Sequence, residues 1–235
     1  MTVVVPQVTL VGERVRLEPL GLQHVDALVE AALGATQTDR HAWIPDPDPD
    51  AVAAYIQVAI EAYASGSALA FATVALGHDR KREGSSDGVS DGSDEPAEKV
   101  VGSTRFAHLD RWPWPPSLPM PAERNSGVGP DSAELGGTWL TDGVRRTSVN
   151  SEAKLLMLTH AFEIWRCERI WLQCDHRNAN SRASIERIGA QFEGLTRNHR
   201  FGWDGSVRTS AVFSFVLDEW PLAKAHLVSL LGGTR

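Results

Sequence analysis

Apolar positions along this chain recur at two spacings, and the changes from one spacing to the other mark out its elements. In "VTLVGERVRLEPL", Val15 and Leu17 alternate with Arg14, Arg16 and Glu18, the period-two pattern of a half-buried strand. Helical spacing follows: Val25, Leu28, Val29, Ala32 and Leu33 stand at i, i+3, i+4, i+7 and i+8, which predicts a helix over 22–33. The Pro-Asp repeat at 45–50 cannot continue a helix, because proline lacks an N–H and biases its predecessor to extended geometry. Asp50 is a natural cap for a second helix over 51–64. Residues 68–77 and 99–109 read as the two strands of a hairpin. In the second half, strand and helix alternate: 134–140, a helix over 151–166, 169–175, a helix over 180–188, then "QFEGLTRNHR" and "TSAVFSFVL". Leu155, Leu158, Phe162 and Trp165 share a helix face, whereas Ile170, Leu172 and Cys174 alternate with Trp171, Gln173 and Asp175. Gly189 stands where a helix end wants a left-handed residue. A last helix starts after Asp218 with Pro221 in its first turn.

Two inserts interrupt this order. Residues 79–98 are rich in Ser, Gly and Asp with almost no apolar side chains, too few to offset the entropy of ordering, and are expected to be disordered. Residues 111–132 interleave Trp112 and Trp114 with prolines that stiffen the chain, giving a loop that covers the sheet, lines a groove or meets another subunit. With no internal repeat, the 235 residues are expected to form one mixed α/β domain.

Composition narrows the function classes. A net charge of -7 gives no basic footprint for nucleic acid. Cys167 and Cys174 are the only cysteines and belong to no metal-ligand spacing, so they are expected to be reduced and packed. No apolar run approaches the ~20 residues that span a bilayer, and the first residues lack the pattern of a signal peptide. A cytoplasmic location is the expectation.

The candidate chemistry lies in "RRTSVNSEAK", residues 145–154, where a strand hands over to a helix. A helix N-terminus presents unpaired N–H groups and a partial positive charge, and the small polar residues Thr147, Ser148, Asn150 and Ser151 let an anion approach the backbone. Arg145 and Arg146 can add charge-assisted hydrogen bonds to phosphate. Ordinary capping by Asn150 or Ser151, with Glu152 near the positive end of the dipole, explains the same residues without a ligand. The nucleotide motifs GxxxxGK[ST] and GxGxxG are absent.

This segment resembles the acyl-CoA loop of the GNAT superfamily of N-acetyltransferases, with pattern [QR]xxGx[GA]. Arg145 takes the first position, while Ser148 and Asn150 stand where that pattern has Gly or Ala. "AELGGTWL", "VNSEAKLLMLTHAFE", "NANSRASIERIGAQFEG" and "SFVLDEWP" resemble the RimJ/RimL branch, in which such non-glycine loops occur. The resemblance runs from about 10 to 222 and is strongest over 133–221. It implies a largely antiparallel twisted sheet of about seven strands flanked by helices. It also implies acetyl-CoA between the strands at 134–140 and 170–175, with its pyrophosphate held at Arg145, Arg146, Thr147, Ser148, Val149 and Asn150, and no metal. Gly136 and Gly137 suit that gap as a bulge or a close backbone approach.

On the same resemblance, Glu134 matches a catalytic carboxylate, with a solvated strand-end charge as the alternative. His199 is a second candidate base. Asn178 and Ser181 match an NxxS that contacts the pantetheine arm, with Ser181 as acid toward the thiolate; helix capping would use both residues equally well. The acceptor implied is a primary amine of a peptide, protein or small molecule. An α-amino group near pKa ~8 gives up its proton more readily than a lysine near ~10.4. A non-catalytic acyl-CoA sensor is the alternative from another class, a nucleotide-phosphate binder the third, and a homodimer is left open.

Overall fold

The computed structural model describes residues 3–36, 43–77, 98–119 and 129–232. The expectation of disorder for 79–98 therefore lies, except for Glu98, outside the described residues. Eight strands form one sheet: β1 (Leu10–Val11), β2 (Val15–Pro19), β3 (Ala68–Ala75), β4 (Lys99–Asp110), β5 (Ser132–Leu140), β6 (Arg169–Asp175), β7 (Gln191–Phe201) and β8 (Val207–Val216). Their order is β1-β2-β3-β4-β5-β6-β8-β7. Every neighbouring pair is antiparallel except β5 and β6. The count exceeds the expected seven because "LVGERV" turns at Gly12, splitting the first predicted strand into β1 and β2.

Among the described residues, five helices cover the sheet: α1 (Val25–Leu33), α2 (Pro49–Ala64), α3 (Val149–Thr159), α4 (Ala179–Arg187) and α5 (Trp220–Gly232). The cap of α2 is Asp48, whose carboxylate accepts from the N–H groups of Asp50 and Ala51, with Pro49 in the first turn. Asp50, the expected cap, is already helical. Such a cap contributes roughly 1 kcal/mol. Helix α3 ends earlier than its spacing predicts, in a π-helical turn at His160–Ile164. The wider turn leaves Ile164 exposed while Phe162 and Trp165 stay buried. Phe162 then stacks on Trp220 of α5 and Trp165 packs against Phe106 of β4.

Because β3 is central, alternate residues serve two cores. Leu69 and Phe71 join Phe106, Met157, Phe213 and Phe215 in the core shared with α3 and α5. Ala70 and Ala72 join Leu28, Val52, Ile56 and Trp139 under α1 and α2. Both cysteines are free and buried. In the described part of the Trp/Pro-rich loop Trp112 is exposed, and Trp114 is half-buried with its indole donating to Leu118 O.

Candidate active site

Strands β5 and β6 pair over three rows only, Ser132 with Arg169, Ala133 with Ile170 and Glu134 with Trp171. Beyond that point β5 follows β4 as far as Leu140 and β6 follows β8 as far as Asp175, so their facing edges part. Unpaired backbone along both edges is a ready acceptor of a polar chain. The register of β4 and β5 slips opposite Gly136 and Gly137, and Gly137 has φ +58°. A Cβ there would stand 2.9 Å from Arg105 Nε, a side chain that can shift, so it is the positive φ that favours glycine. The expected bulge is present.

Beneath it lies Lys154, a residue that sequence reasoning passed over. It stands four residues before Leu158 and seven before Ala161, on the apolar stripe of α3, and is only 4% exposed. Its Nζ donates to Thr104 Oγ1 at 3.0 Å and Thr138 Oγ1 at 2.6 Å, which ties α3 to β4 and to the far side of the bulge. With no carboxylate among these partners, burial pushes its pKa down to about 7. The signal was there in the periodicity: a lysine on a buried stripe.

The N-terminus of α3 opens toward the gap. Arg146 adopts φ +63°, a left-handed conformation between the extended Arg145 and the start of α3. Its side chain is exposed. Arg145 is differently occupied. Its guanidinium pairs with Asp142 at 2.7 Å and donates to Leu140 O and Thr36 O, bracing the end of α1. Thr147 Oγ1 donates to Val144 O and accepts from Val149 N. Ser148 is buried as the residue before α3, without a side-chain cap bond, and Val149 sits in the core. Asn150 reaches Ser184 of α4 at 3.5 Å, and its buried Oδ1 has no partner among the described residues. Glu152 does not serve its own helix. Its carboxylate accepts from Glu13 N and Arg14 N, 2.9 and 2.8 Å away, anchoring the β1–β2 turn, where a Cβ on Gly12 would stand 2.7 Å from it.

Glu134 is the last residue of β5 paired with β6, on the sheet face toward α1 and α2, and is 8% exposed. Gln173 Nε2 donates to one oxygen at 3.2 Å, and His108 Nε2 approaches the other at 3.3 Å. His108 was not legible from sequence. It owes its position to a φ of +49° at an irregularity of β4, a strained conformation of the kind that collects at functional sites, and stacks on Trp171. His199 hydrogen-bonds Ser210 Oγ at 3.0 Å; burial first, then Arg200 and Arg208, lower its pKa and favour neutral imidazole. Trp43, before α2, stacks on Trp203 in the β7–β8 turn and tilts against Tyr55. These rings connect the start of α2 with the β7–β8 turn.

Asn178 caps α4 by accepting from Ser181 N at 2.8 Å. Burial raises the pKa of the Cys174 thiol of β6, with Ser181 acting against that shift. Both residues thus stand at the β6 side of the gap. Among the described residues, no group of three or more His, Cys, Asp or Glu could hold a metal ion, and no helix is long and apolar enough to cross a membrane.

A family model described as "Acetyltransferase (GNAT) domain" matches residues 14–191. No curated protein matches. Among solved structures, a GCN5-related N-acetyltransferase from Brucella melitensis superposes with TM-score 0.72 at 24% identity, covering 97% of this chain and 87% of that one. RimJ from Mycobacterium smegmatis in complex with CoA-disulfide follows with TM-score 0.64 at 19% identity, over 92% and 88% of the two chains. RimL, a ribosomal L7/L12 alpha-N-protein acetyltransferase solved with coenzyme A, gives 0.63 at 14%, over 90% and 99%. A mostly antiparallel sheet that opens at its one parallel pair, together with a family match over most of the chain, makes this protein a member of the GNAT family, an acetyl-CoA-dependent N-acyltransferase.

Proposed function

We propose that this protein acetylates the amino terminus of a peptide or protein, in the cytoplasm, with Glu134 as general base. The observation that carries the reading is that one gap has the α3 N-terminus at one end and a held carboxylate at the other. Acetyl-CoA fits this gap: the β5 and β6 edges offer backbone groups to its amide-bearing arm, and first-turn N–H groups of α3 can receive its pyrophosphate. Arg146, Thr147, Ser148, Val149 and Asn150 contribute mainly through backbone, with Arg146 adding charge. Arg145 acts by holding the loop.

On the opposite face Glu134 accepts the proton of the incoming ammonium, aided by Gln173 and by His108, which connects the carboxylate to solvent. The neutral amine forms a C–N bond to the acetyl carbon as the C–S bond breaks. Backbone N–H groups on the open edge of β5 stabilise charge on the carbonyl oxygen, and Ser181 delivers a proton to the departing sulfur. An α-amino group suits this arrangement because its pKa near ~8 asks less of the base than a lysine does. RimL, an alpha-N-protein acetyltransferase of similar fold, agrees with that choice.

Thiol release from acetyl-CoA tests it, measured against N-terminal peptides, lysine peptides, polyamines and aminoglycosides. Turnover with N-terminal peptides is expected. Turnover confined to another amine would overturn the acceptor assignment, and CoA binding without any turnover would establish a non-catalytic sensor. The edge strand β7, which leaves Phe192 and Leu195 about half exposed, supports a homodimer as the working form. Sedimentation as a 25.6 kDa species would contradict that assembly.

A further inference from the structure

Arg208 is the least expected side chain of the acceptor face. It lies on β8 at the base of the turn that carries Trp203; a Cβ on Gly202 would contact Arg208 Cβ at 3.8 Å. Its neighbours Ala211, Phe213 and Phe215 belong to the core with α3, and alternation puts Arg208 and Ser210 on the other face, that of Glu134 and Gln173. The residue is 6% exposed, yet its Nε and Nη2 are buried with no hydrogen-bond partner among the described residues.

Those two nitrogens form the edge of a guanidinium that grips a carboxylate with two parallel bonds. Elsewhere in this protein the same edge does so. Arg177 holds Asp175 at 3.0 and 2.8 Å, and Arg169 holds Glu193 at 3.3 and 2.5 Å. The nearby acids are already engaged, Asp175 by Arg177 and Glu134 by Gln173 and His108. Directly across the ladder from Arg208 stands Arg200, a second cation. Facing like charges and a buried, unanswered guanidinium both cost stability, and burial, with Arg200 adding to it, lowers the Arg208 pKa. A carboxylate seated on this edge would relieve each of these costs.

We propose that Arg208 is a specificity residue that reads a carboxylate on the acceptor, carried close to the amine that Glu134 deprotonates. The proposal rests on the acetyltransferase reading given above and adds the acceptor's charge. The carboxylate can come from an acidic side chain at the start of a peptide or from the α-carboxylate of a free amino acid.

The test uses CoA-saturated full-length protein and calorimetric binding, alongside kcat/KM for thiol release. Its probes are C-terminally amidated peptides beginning with Asp or Glu, the matched Asn and Gln peptides, and free glutamate against glutamine amide. Wild type should prefer the carboxylate member of a pair by ~10-fold or more in both readouts. Arg208→Gln should lose that preference while keeping CoA affinity within ~3-fold, and Arg208→Lys should recover only part of it. Preference for the acidic peptides alone, or for glutamate alone, identifies the carboxylate's source. Equal binding of acid and amide by wild type would overturn the proposal, as would a preference that survives in Arg208→Gln. Binding preference without thiol release would instead contradict the catalytic role of Glu134 and leave the Arg208 assignment standing.

Discussion

The two ends of the gap are built from different materials. At the α3 end the groups proposed to bind are main-chain N–H groups, because side chains such as Arg145, Thr147 and Glu152 are spent on holding the loop's shape. At the Glu134 end the useful groups are side chains, Glu134, Gln173, His108 and Arg208, each on a different strand. A site made from backbone tolerates Ser148 and Asn150 where glycine is the pattern, because the dipoles survive the substitution. A site made from side chains changes its preferences one residue at a time. In the proposed reading the first end fixes the common donor, and the second selects the acceptor.

Substitutions can break this division. Glu134→Gln should lower kcat ~100-fold or more while leaving acetyl-CoA affinity unchanged, as steady-state kinetics with calorimetry will read. Between the ends, Lys154→Met removes a buried ammonium whose two threonine partners can bond each other across 2.8 Å. It should stabilise the fold by roughly 2 kcal/mol at neutral pH in urea unfolding. Because the folded pKa is lowered from 10.5 to about 7, the unfolded chain binds more protons between those values. Wild-type stability should therefore gain from Lys154 as pH rises through that window, a slope the variant lacks. Arg146→Glu should weaken acetyl-CoA ~10-fold, an effect of about 1.4 kcal/mol that shrinks with salt, and leave acceptor KM alone. Ser181→Ala removes the proposed acid while the cap bond through the Ser181 main chain persists, so it should lower kcat by ~10-fold or more without loosening α4.

How much of this was legible in the sequence follows the same division. Periodicity gave the element order, capping chemistry the left-handed Gly189, whose φ is +95°, and the glycine pair read with the family resemblance the bulge at Gly136 and Gly137. It placed the 145–154 segment at a helix N-terminus. It could not show that Arg145 turns back onto Asp142, because one sequence of small and basic residues is compatible with gripping a ligand or bracing a loop. Local rules also missed the cap of α2, where Asp48 and Asp50 compete and Pro49 decides by fitting the first helical position. The acceptor face was the least legible. Glu134 was found through resemblance, whereas His108, Gln173 and Arg208 meet only after three strands separated by long stretches of chain are set in register. Their chemistry depends on alternation across the sheet, and the decisive property of Arg208, a buried edge without a partner, has no local signature.

The most direct test of the account is hydrogen–deuterium exchange of the full chain with and without CoA, since the claimed ligands are backbone N–H groups. Protection concentrated at 146–152 and along 135–140, with the β7–β8 turn unchanged, is the predicted result. Protection centred on 202–208, or none at 146–152, would contradict the assignment of the α3 end to the donor and the Glu134 end to the acceptor.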